Sequence, residues 1–389
     1  MFGADGELLA QASRRYPTAR SRHCFVEQAA ADWLTAIDDI LAELLEGRSQ
    51  LSIAALGLCS QVNTHVFVDA AGRALLPAIV WQDGRAAQEA ETLDSQLSPE
   101  QKQAWWGAPV PIDASHPLAR MAWVAAHAPA EWEQTRWVLS PKDYCLLQLT
   151  GKVASDPVSS FGLVDQCGVY LEPLLALVPG AARRLPPLQP MERVLGLTLP
   201  ERSRGLGVPV VTGTMDAWSN MFGSGVAGIG EGAYFSGTSE IITLVSDRRV
   251  ATAGVLSFLP VADWYVHAGP TQSGGDSLRW FAECVGQAVD TVLAEAAAVD
   301  RSQGRLLFLP HLQGERAPLW DPYSRGSFLG IEADTGIGDM ALAVLEGVAC
   351  SARLLYDSVA EAAGRSYPFL YLGAVAVSRG CGARFVRMC

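Results

Sequence analysis

Residues 208–218 read VPVVTGTMDAW, a pattern that changes from strand to helix around a turn at Gly213. The β-branched run up to Thr212 predicts a strand, and the glycine permits a tight turn after it. From Asp216 onward the pattern predicts the start of a helix. A carboxylate at a strand-to-helix turn is positioned by the backbone, so Asp216 is a candidate general base. The alternative is a helix N-cap, because aspartate is favoured at that position.

Upstream of this turn, helical and strand patterns alternate to about residue 200. Turn residues separate the segments, and Gly180 to Arg204 is rich in Pro, Arg and Leu, which predicts a surface connection. The other predicted elements are a strand pair after the Asp5-Gly6 turn, a helix over 28–45, a buried strand over 51–58, strands over 65–68 and 77–81, and a turn at 69–72.

Downstream, a second cycle of similar size follows. It comprises strands over 232–236 and 241–245, and a helix over 338–363 with an apolar stripe from Leu342 to Leu355. Two α/β halves are therefore predicted, with a ligand-binding cleft between them. We place the domains at 1–224 and 225–389.

Composition limits the functional classes. The chain has 389 residues, of which 49% are hydrophobic and 18% charged, so it can bury two cores and does not resemble a disordered protein. The formal net charge is −12 and no Lys/Arg-rich run is present, which argues against a nucleic-acid partner. No apolar run approaches the roughly 20 residues that span a bilayer, so no membrane partner is expected.

The cysteine and histidine patterns give no metal site. The eight cysteines form no CxxC pair, and the six histidines show no paired ligand spacing. We therefore predict reduced, mostly buried thiols in a cytoplasmic protein.

Two glycine-rich turns in the second half have the composition of phosphate-binding loops. Gly237, Thr238 and Ser239 lie between two predicted strands, and Gly274 and Gly275 precede a predicted helix. The alternatives are a plain hairpin turn for the first, and capping by Ser273 or Asp276 for the second. A further motif, GERAP over 314–318, is interpreted as a structural corner in which Arg316 fixes a loop.

Polar residues at the ends of predicted strands in the first half suit a sugar. The first group is Gln61 and Asn63 with Val62 between them, and the second is Asp83 with Trp81 beside it. A tryptophan can stack on a ring or chain, and the polar groups can bond hydroxyls. A polar loop with a core tryptophan is the alternative.

The order of these motifs resembles the FGGY carbohydrate kinases, most closely the xylulokinase and gluconokinase branch, from about Asp5 to Gly373. The series is GLCSQ 57–61, PAIVWQDGR 77–85, SPKDY 140–144, LTG 149–151, GTMD 213–216, GTS 237–239, GERAP 314–318 and LEGV 345–348.

The resemblance implies a two-domain, actin-like ATPase fold of the ribonuclease H-like class. It implies a sugar-binding N-terminal domain and a nucleotide-binding C-terminal domain, with ATP and Mg²⁺ as cofactors. Asp216 would take the proton from the sugar hydroxyl. The remaining implied contacts are Gln61, Val62, Asn63, Trp81 and Asp83 to a sugar or polyol, and Gly237, Thr238, Ser239, Gly274, Gly275 and Gly373 to the nucleotide. A homodimer is also possible.

This sequence departs from the family pattern in three places. The family's first strand and DxGT-type phosphate turn, whose aspartate serves the Mg²⁺–phosphate region, are missing before Phe2. The adenosine turn after Gly373 is replaced by an unrelated tail, and a one-base shift of the reading frame there can restore a GGG-type turn. Val62-Asn63 stands where xylulokinases usually show Met-His, which leaves gluconate, other ketoses and polyols open. A truncated or frameshifted, inactive fragment that at most binds sugar is therefore the alternative to an active kinase.

Overall fold

The chain folds into two compact units. The first comprises residues 1–98 and 111–220, and the second comprises 99–110 and 221–389. The predicted boundary after residue 224 stays a prediction. The computed structural model describes residues 1–21, 24–48, 51–226, 228–261, 264–300, 306–321, 323–367 and 370–374.

The helices lie mainly in the predicted positions. They are α1 Ala30–Leu45, α2 Ala87–Asp94, α3 Pro99–Trp106, α4 Pro117–His127, α5 Pro129–Gln134, α6 Pro141–Thr150, α7 Glu172–Leu175, α8 Asp216–Gly223, α9 Gly275–Val285, α10 Val289–Ala298 and α11 Ile337–Ala363, with short 3₁₀ turns at Ala182–Arg184 and Pro200–Arg202.

The strands are mostly short in the first unit and longer in the second. They are β1 Glu27–Gln28, β2 Cys59–Ser60, β3 Val66–Val68, β4 Ala78–Ile79, β5 Trp137–Leu139, β6 Val194–Leu197, β7 Pro209–Val211, β8 Thr214–Met215, β9 Gly232–Ser236, β10 Glu240–Ser246, β11 Leu256–Val261, β12 Trp264–Pro270, β13 Leu307–Leu309, β14 Ser327–Leu329 and β15 Tyr371–Ala374.

The first unit is built from paired strands around a core that includes Trp33 of α1. Strands β1 and β4 pair antiparallel, as do β3 and β5, and β6 and β7. Strands β2 and β8 pair in parallel. The core residues from α1, β3 and α6 include Trp33, Val66, Val68 and Tyr144. Helices α1 and α6 thus cover the strands whose ends carry the predicted sugar site.

The second unit contains a five-stranded sheet in the order β11-β12-β10-β9-β15. Strand β15 runs parallel to β9, and the other neighbours are antiparallel. Helix α11 packs on this sheet through Leu355 and Val359, and on β13 through Val344 and Gly347. A Cβ on Gly347 would lie 2.2 Å from the Phe308 carbonyl oxygen, so only glycine allows this approach.

Several predicted elements are confirmed. Helices α1, α8 and α11 begin within two residues of the predicted positions, and the strands flanking residues 237–239 are present. The turn at 69–72 closes through the Gly72 N–H, which donates to the Asp69 carbonyl at 3.0 Å. The fold class is the predicted two-domain α/β class.

Other predictions are wrong in detail. Residues 51–58 make one isolated bridge, from Leu56 to Val210, and are largely exposed rather than a buried strand. The strand pair near the start is a single bridge between Phe2 and Leu8. The connection over 180–204 contains β6 and two 3₁₀ turns, with Arg184 buried. Short apolar runs alone do not determine whether a ladder partner exists.

Burial also differs from expectation at the cysteines and on α11. Among the six described cysteines, all free, only Cys145 is buried, so the prediction of mostly buried thiols is wrong. On α11, Leu355 of the predicted stripe is buried, whereas Leu342 and Leu345 are half-buried, and Ala341 and Val344 are buried in addition. Where α11 approaches β13 closely, the contacting residue is Gly347. Across the described ranges, no helix has the length and apolar character that a membrane span requires.

Candidate active site

Two parallel strands end side by side in the first unit. Cys59 of β2 pairs with Thr214 of β8, and Ser60 pairs with Met215. The residues that follow these pairs are Gln61 on one strand and Asp216 on the other. Ligands of α/β sheets bind at the carboxyl ends of parallel strands. The register therefore brings the predicted base and the predicted sugar loop to the same end of this strand pair.

Gly213 permits this pairing. Its φ is +71°, and a Cβ built on it would lie 2.0 Å from the Leu58 carbonyl oxygen. The chain enters β8 through a left-handed residue that touches the backbone leading into β2. Both features require glycine.

Replacement of Gly213 by alanine is expected to lower the free energy of unfolding by about 3 kcal/mol or more, since it adds a backbone clash to a strained φ. Gly205→Ala is the matched control. Gly205 has a φ of +81° but nothing within 4 Å of its Cβ position, so it should lose only about 1 kcal/mol. Urea denaturation of both variants measures the difference. Equal losses would contradict the prediction that the close contact between Gly213 and the Leu58 carbonyl excludes a side chain.

Asp216 lies at the first position of α8 with an exposed side chain. The N–H of Ala217 donates to its Oδ1 at 2.8 Å. Partial desolvation raises the pKa of Asp216 above its usual range, against the opposing effect of this N–H. An N-cap side chain normally accepts from an N–H two or three residues ahead. The observed bond to the next residue leaves the carboxylate at the surface, as a general base requires.

The loop after β2 is held by side-chain hydrogen bonds. Gln61 Nε2 donates to Gln28 Oε1 at 3.0 Å, and Asn63 Nδ2 donates to Ser115 Oγ at 3.1 Å. Asn63 is left-handed, with φ +55°. Val62 is half-buried between them.

Trp81 lies next to this loop. Its backbone N–H donates to Thr64 Oγ1 at 3.1 Å, and its side chain is 51% exposed. The alternative of a core tryptophan is therefore wrong, because Trp81 is exposed.

Arg120 of α4 joins the segments that carry these residues. Its buried guanidinium donates to the carbonyls of Ile79 and Val80, before Trp81, and to the carbonyl of Asn63. It also donates to the Ala114 carbonyl at 3.2 Å, beside Ser115. Arginine presents several donors in a fixed fork, so one side chain fixes the relative position of three chain segments.

Arg120→Lys is expected to raise the KM for sugar about tenfold and leave the KM for ATP unchanged, because an ammonium cannot hold the three segments together. Arg184→Lys is the matched control. Arg184 is also a buried arginine that donates to backbone carbonyls, those of Trp132 and Gly180, outside the predicted sugar loop. Steady-state kinetics on both variants separate the effects, and a similar rise in sugar KM for the two would contradict a specific role of Arg120.

A buried charge cluster lies behind β8. Lys142 Nζ lies 2.5 Å from Asp143 Oδ1 and 2.9 Å from Asp156 Oδ1, and all three side chains are buried. Burial opposes the charged form of Lys142, but the two carboxylates prevail and raise its pKa. Asp156 Oδ2 accepts from Thr214 Oγ1 at 2.9 Å. The cluster therefore fixes strand β8, which leads directly into Asp216.

Asp83 has a structural role in this arrangement. It is buried, and its carboxylate accepts from the N–H of Val26 at 2.5 Å and from the backbone and guanidinium of Arg85 at 2.7–2.9 Å. These bonds occupy both carboxylate oxygens. A direct contact between Asp83 and a sugar stays a prediction.

In the second unit, the two predicted phosphate loops are bonded to each other. The N–H of Gly275 donates to the Gly237 carbonyl at 2.7 Å, and that of Gly274 donates to the Thr238 carbonyl at 2.9 Å. A Cβ on Gly274 would lie 2.8 Å from the backbone carbon of Ser239, and one on Gly275 would lie 2.7 Å from the Gly237 oxygen. Gly274 and Gly275 allow the two loops to make this contact. The turn at 237–239 is therefore packed against a second loop, unlike a plain hairpin turn.

The capping alternative for the second loop is not seen. The N-cap of α9 is Gly274, which makes no side-chain cap bond. Arg316 donates to the Thr271 carbonyl, and Glu315 accepts from the N–H of Gln272 at 2.6 Å. The corner at 314–318 therefore holds this loop, as the sequence predicts.

Gly373 lies at the same end of the sheet as the loop of residues 237–239. It pairs with Phe235 in the parallel β15–β9 ladder, one residue before Ser236 and two before Gly237. The tail over 375–389, on which the frameshift hypothesis rests, lies outside the described residues.

Sequence reasoning missed Arg120 and Lys142. One signal for Arg120 was present, because a cation lies on the apolar face of α4, between Pro117 and Val124. Lys142 and its neighbour Asp143 lie in the SPKDY motif, but the second partner, Asp156, is distant in sequence, so the link to Thr214 could not be predicted.

Two family models match the chain. The N-terminal domain of the FGGY family of carbohydrate kinases matches residues 1–223, and the C-terminal domain of the same family matches 232–372. Together they cover most of the chain.

Similar proteins include xylulose kinase of Escherichia coli K12, which is 30% identical over 358 residues, 90% of this chain and 73% of that protein. Gluconokinase of Bacillus subtilis is 26% identical over 369 residues, 90% of this chain and 72% of that protein. Among solved structures, a "xyloylose kinase" from Brucella ovis superposes with a TM-score of 0.83 at 26% identity, covering 95% of this chain and 76% of that one.

Proposed function

This chain belongs to the FGGY family of carbohydrate kinases, and from that premise we propose that it transfers phosphate from ATP to a hydroxyl of an open-chain sugar or polyol, with Asp216 as the general base. The observation that carries the proposal is the parallel β2–β8 pair, which puts Asp216 beside the loop of Gln61 and Asn63. The relatives named as xylulose kinases and gluconokinase support a substrate of this size.

The sugar side of the reaction belongs to the first unit. The Asp216 carboxylate accepts the proton of the attacking hydroxyl, while Gln61, Val62 and Asn63 orient the chain and Trp81 covers one side of it. A protein catalyses phosphoryl transfer mainly by orienting the reactants and positioning a base, because it forms no covalent bond to the transferred group.

The nucleotide side belongs to the second unit. The hydroxyls of Thr238 and Ser239 are donors suited to phosphate oxygens, and the start of α9 holds their turn in place, so this turn fits the phosphates of ATP. In the described part of the chain, no group of three or more His, Cys, Asp or Glu side chains could hold a metal. Mg²⁺ would be held mainly by the ATP phosphates and would neutralise their charge during transfer.

Sugar-dependent release of ADP tests the proposal. The purified chain, with ATP and MgCl₂, is assayed against a panel of ketopentoses, alditols and aldonates, and at least one compound is expected to stimulate ADP release. Binding of the same compounds is measured by thermal shift. Binding without turnover on every compound would support the inactive-fragment alternative, which the family match does not favour.

A cytoplasmic location, where ATP is available, is part of the proposal. The homodimer stays a prediction, and size-exclusion chromatography with light scattering tests it.

A further inference from the structure

We propose that Glu240 sets the nucleotide affinity of the second unit, because its carboxylate opposes the phosphates that occupy the turn at 237–239 and takes up a proton when they bind. The inference rests on the proposed function for the location of the phosphates. It adds a buried residue that is separate from the residues proposed to contact ATP.

Glu240 lies directly behind the turn. It is the first residue of β10 and is only 1% exposed. A Cβ built on Gly274 would lie 2.5 Å from Glu240 Oε1 and 2.9 Å from Ser239 Cα. One carboxylate oxygen therefore lies against the backbone where the turn meets the start of α9. A phosphate bound by Thr238 and Ser239 would be separated from this oxygen by protein rather than by water, which strengthens the repulsion between the two charges.

The groups that hold the carboxylate are neutral. Ser236 Oγ donates to Oε1 at 3.1 Å, and the Tyr234 hydroxyl also bonds to the carboxylate. The Glu240 backbone is fixed as well, because its N–H donates to Thr271 Oγ1 at 2.9 Å and its carbonyl accepts from the Thr271 N–H at 2.8 Å. Within the described ranges, no cation forms an ion pair with Glu240.

The charged groups on the surrounding elements have other partners. They are Asp276 with Arg279 on α9, Arg316 on the Thr271 carbonyl, and Glu315 on the Gln272 N–H. Strand β12 and helix α11 contribute the neutral residues Pro270 and Leu355 beside β10. Burial therefore raises the pKa of Glu240, against the opposing effect of the bonds from Tyr234 and Ser236.

The direction of the pH effect follows from this arrangement. Bound phosphates raise the pKa of Glu240 further, because a nearby like charge disfavours the ionised form. Nucleotide binding therefore takes up a proton at pH values between the pKa of Glu240 in the free protein and its pKa in the complex. Below this range Glu240 is neutral in both states and binding is tight. Above it Glu240 is charged in both states and binding is weak.

Calorimetric titration of the full chain with MgADP tests the coupling. Each titration is run in two buffers of different ionisation enthalpy, whose difference in heat gives the number of protons taken up. From about pH 5 to about pH 8.5, the Kd of the unaltered chain is expected to rise about tenfold. Proton uptake should be largest where the Kd changes most steeply.

Glu240→Gln keeps an oxygen that can accept from Ser236 but cannot be ionised. Its Kd for MgADP is expected to stay near the low-pH value of the unaltered chain at every pH. Glu283→Gln is the matched control, because Glu283 is an exposed carboxylate near the other end of α9 and its loss changes the net charge equally. This control should keep the pH dependence of the unaltered chain.

The outcomes separate this inference from the proposed function. Equal proton uptake by Glu240→Gln and the unaltered chain would overturn the inference, and so would a failure of MgADP to bind. Should Glu240→Gln fail to fold, the absence of proton uptake by the unaltered chain would overturn it. Sugar-dependent ADP release with the same pH profile of the KM for ATP in both proteins would support the kinase and overturn the inference. Proton uptake that depends on Glu240, without ADP release on any sugar, would leave the inference standing and refute the kinase activity of this chain.

Discussion

Replacement of Asp216 by asparagine is expected to lower kcat about 10²–10⁴-fold while sugar binding is retained. The amide keeps the size of the carboxylate but cannot accept the proton of the attacking hydroxyl. Because Asp216 is exposed at the start of α8, the variant should fold normally. ADP release gives kcat, and thermal shift with sugar gives binding.

Asp290→Asn is the control for this variant. Asp290 lies in the first turn of α10 and is exposed, so it matches Asp216 in helix position and accessibility. Its replacement should leave kcat unchanged. Wild-type turnover in Asp216→Asn would refute the assignment of the base.

The pH dependence of kcat provides a separate test of Asp216. A general base must be ionised, so activity falls as the pH drops through its pKa. Partial desolvation raises that pKa, so the acid limb should lie at higher pH than the 3.8 of an ordinary aspartate. A kcat profile over the acidic range, at saturating sugar and ATP, locates the limb. A limb at or below the ordinary value would contradict the environment described for Asp216.

Lys142→Met is expected to lower the free energy of unfolding by about 3–5 kcal/mol. The substitution leaves the Asp143 and Asp156 carboxylates buried without their cation. Since Asp156 also accepts from Thr214, the part of the protein that remains folded should show a reduced kcat. Urea denaturation and steady-state kinetics measure the two effects.

Lys152→Met is the matched control, because Lys152 is exposed and lies in the same unit. Its unfolding free energy should change by less than about 0.5 kcal/mol. A loss for Lys142→Met no larger than that of the control would show that the cluster does not stabilise the unit.

The sequence was most informative where local chemistry decides the structure. The glycine at 213 and the small residues at 237–239 predict turns because few other residues allow those backbone paths, and both turns are present. The prediction of a buried strand over 51–58 was wrong because a strand also needs a pairing partner. The hydrophobicity of a segment does not show whether such a partner exists.

The supports of the candidate site were less predictable. Arg120 binds carbonyls at positions 63, 79 and 80, and Lys142 binds a carboxylate at 156, so their roles depend on tertiary contacts. A buried cation in an apolar helix indicates that some partner exists, but not which one. Likewise, only the fold reveals that Asp83 is saturated by Arg85 and Val26.

The predicted base and the predicted sugar loop rest on different buried cations. The loop of Asn63 is held by Arg120, whereas the strand of Asp216 is held through Thr214 and Asp156 by Lys142. Over evolutionary time, substitutions in the loop can therefore change which sugar is accepted while the strand that carries the base keeps its anchor. Such a division makes substrate range the more easily altered trait, and the chemistry of proton transfer the more durable one.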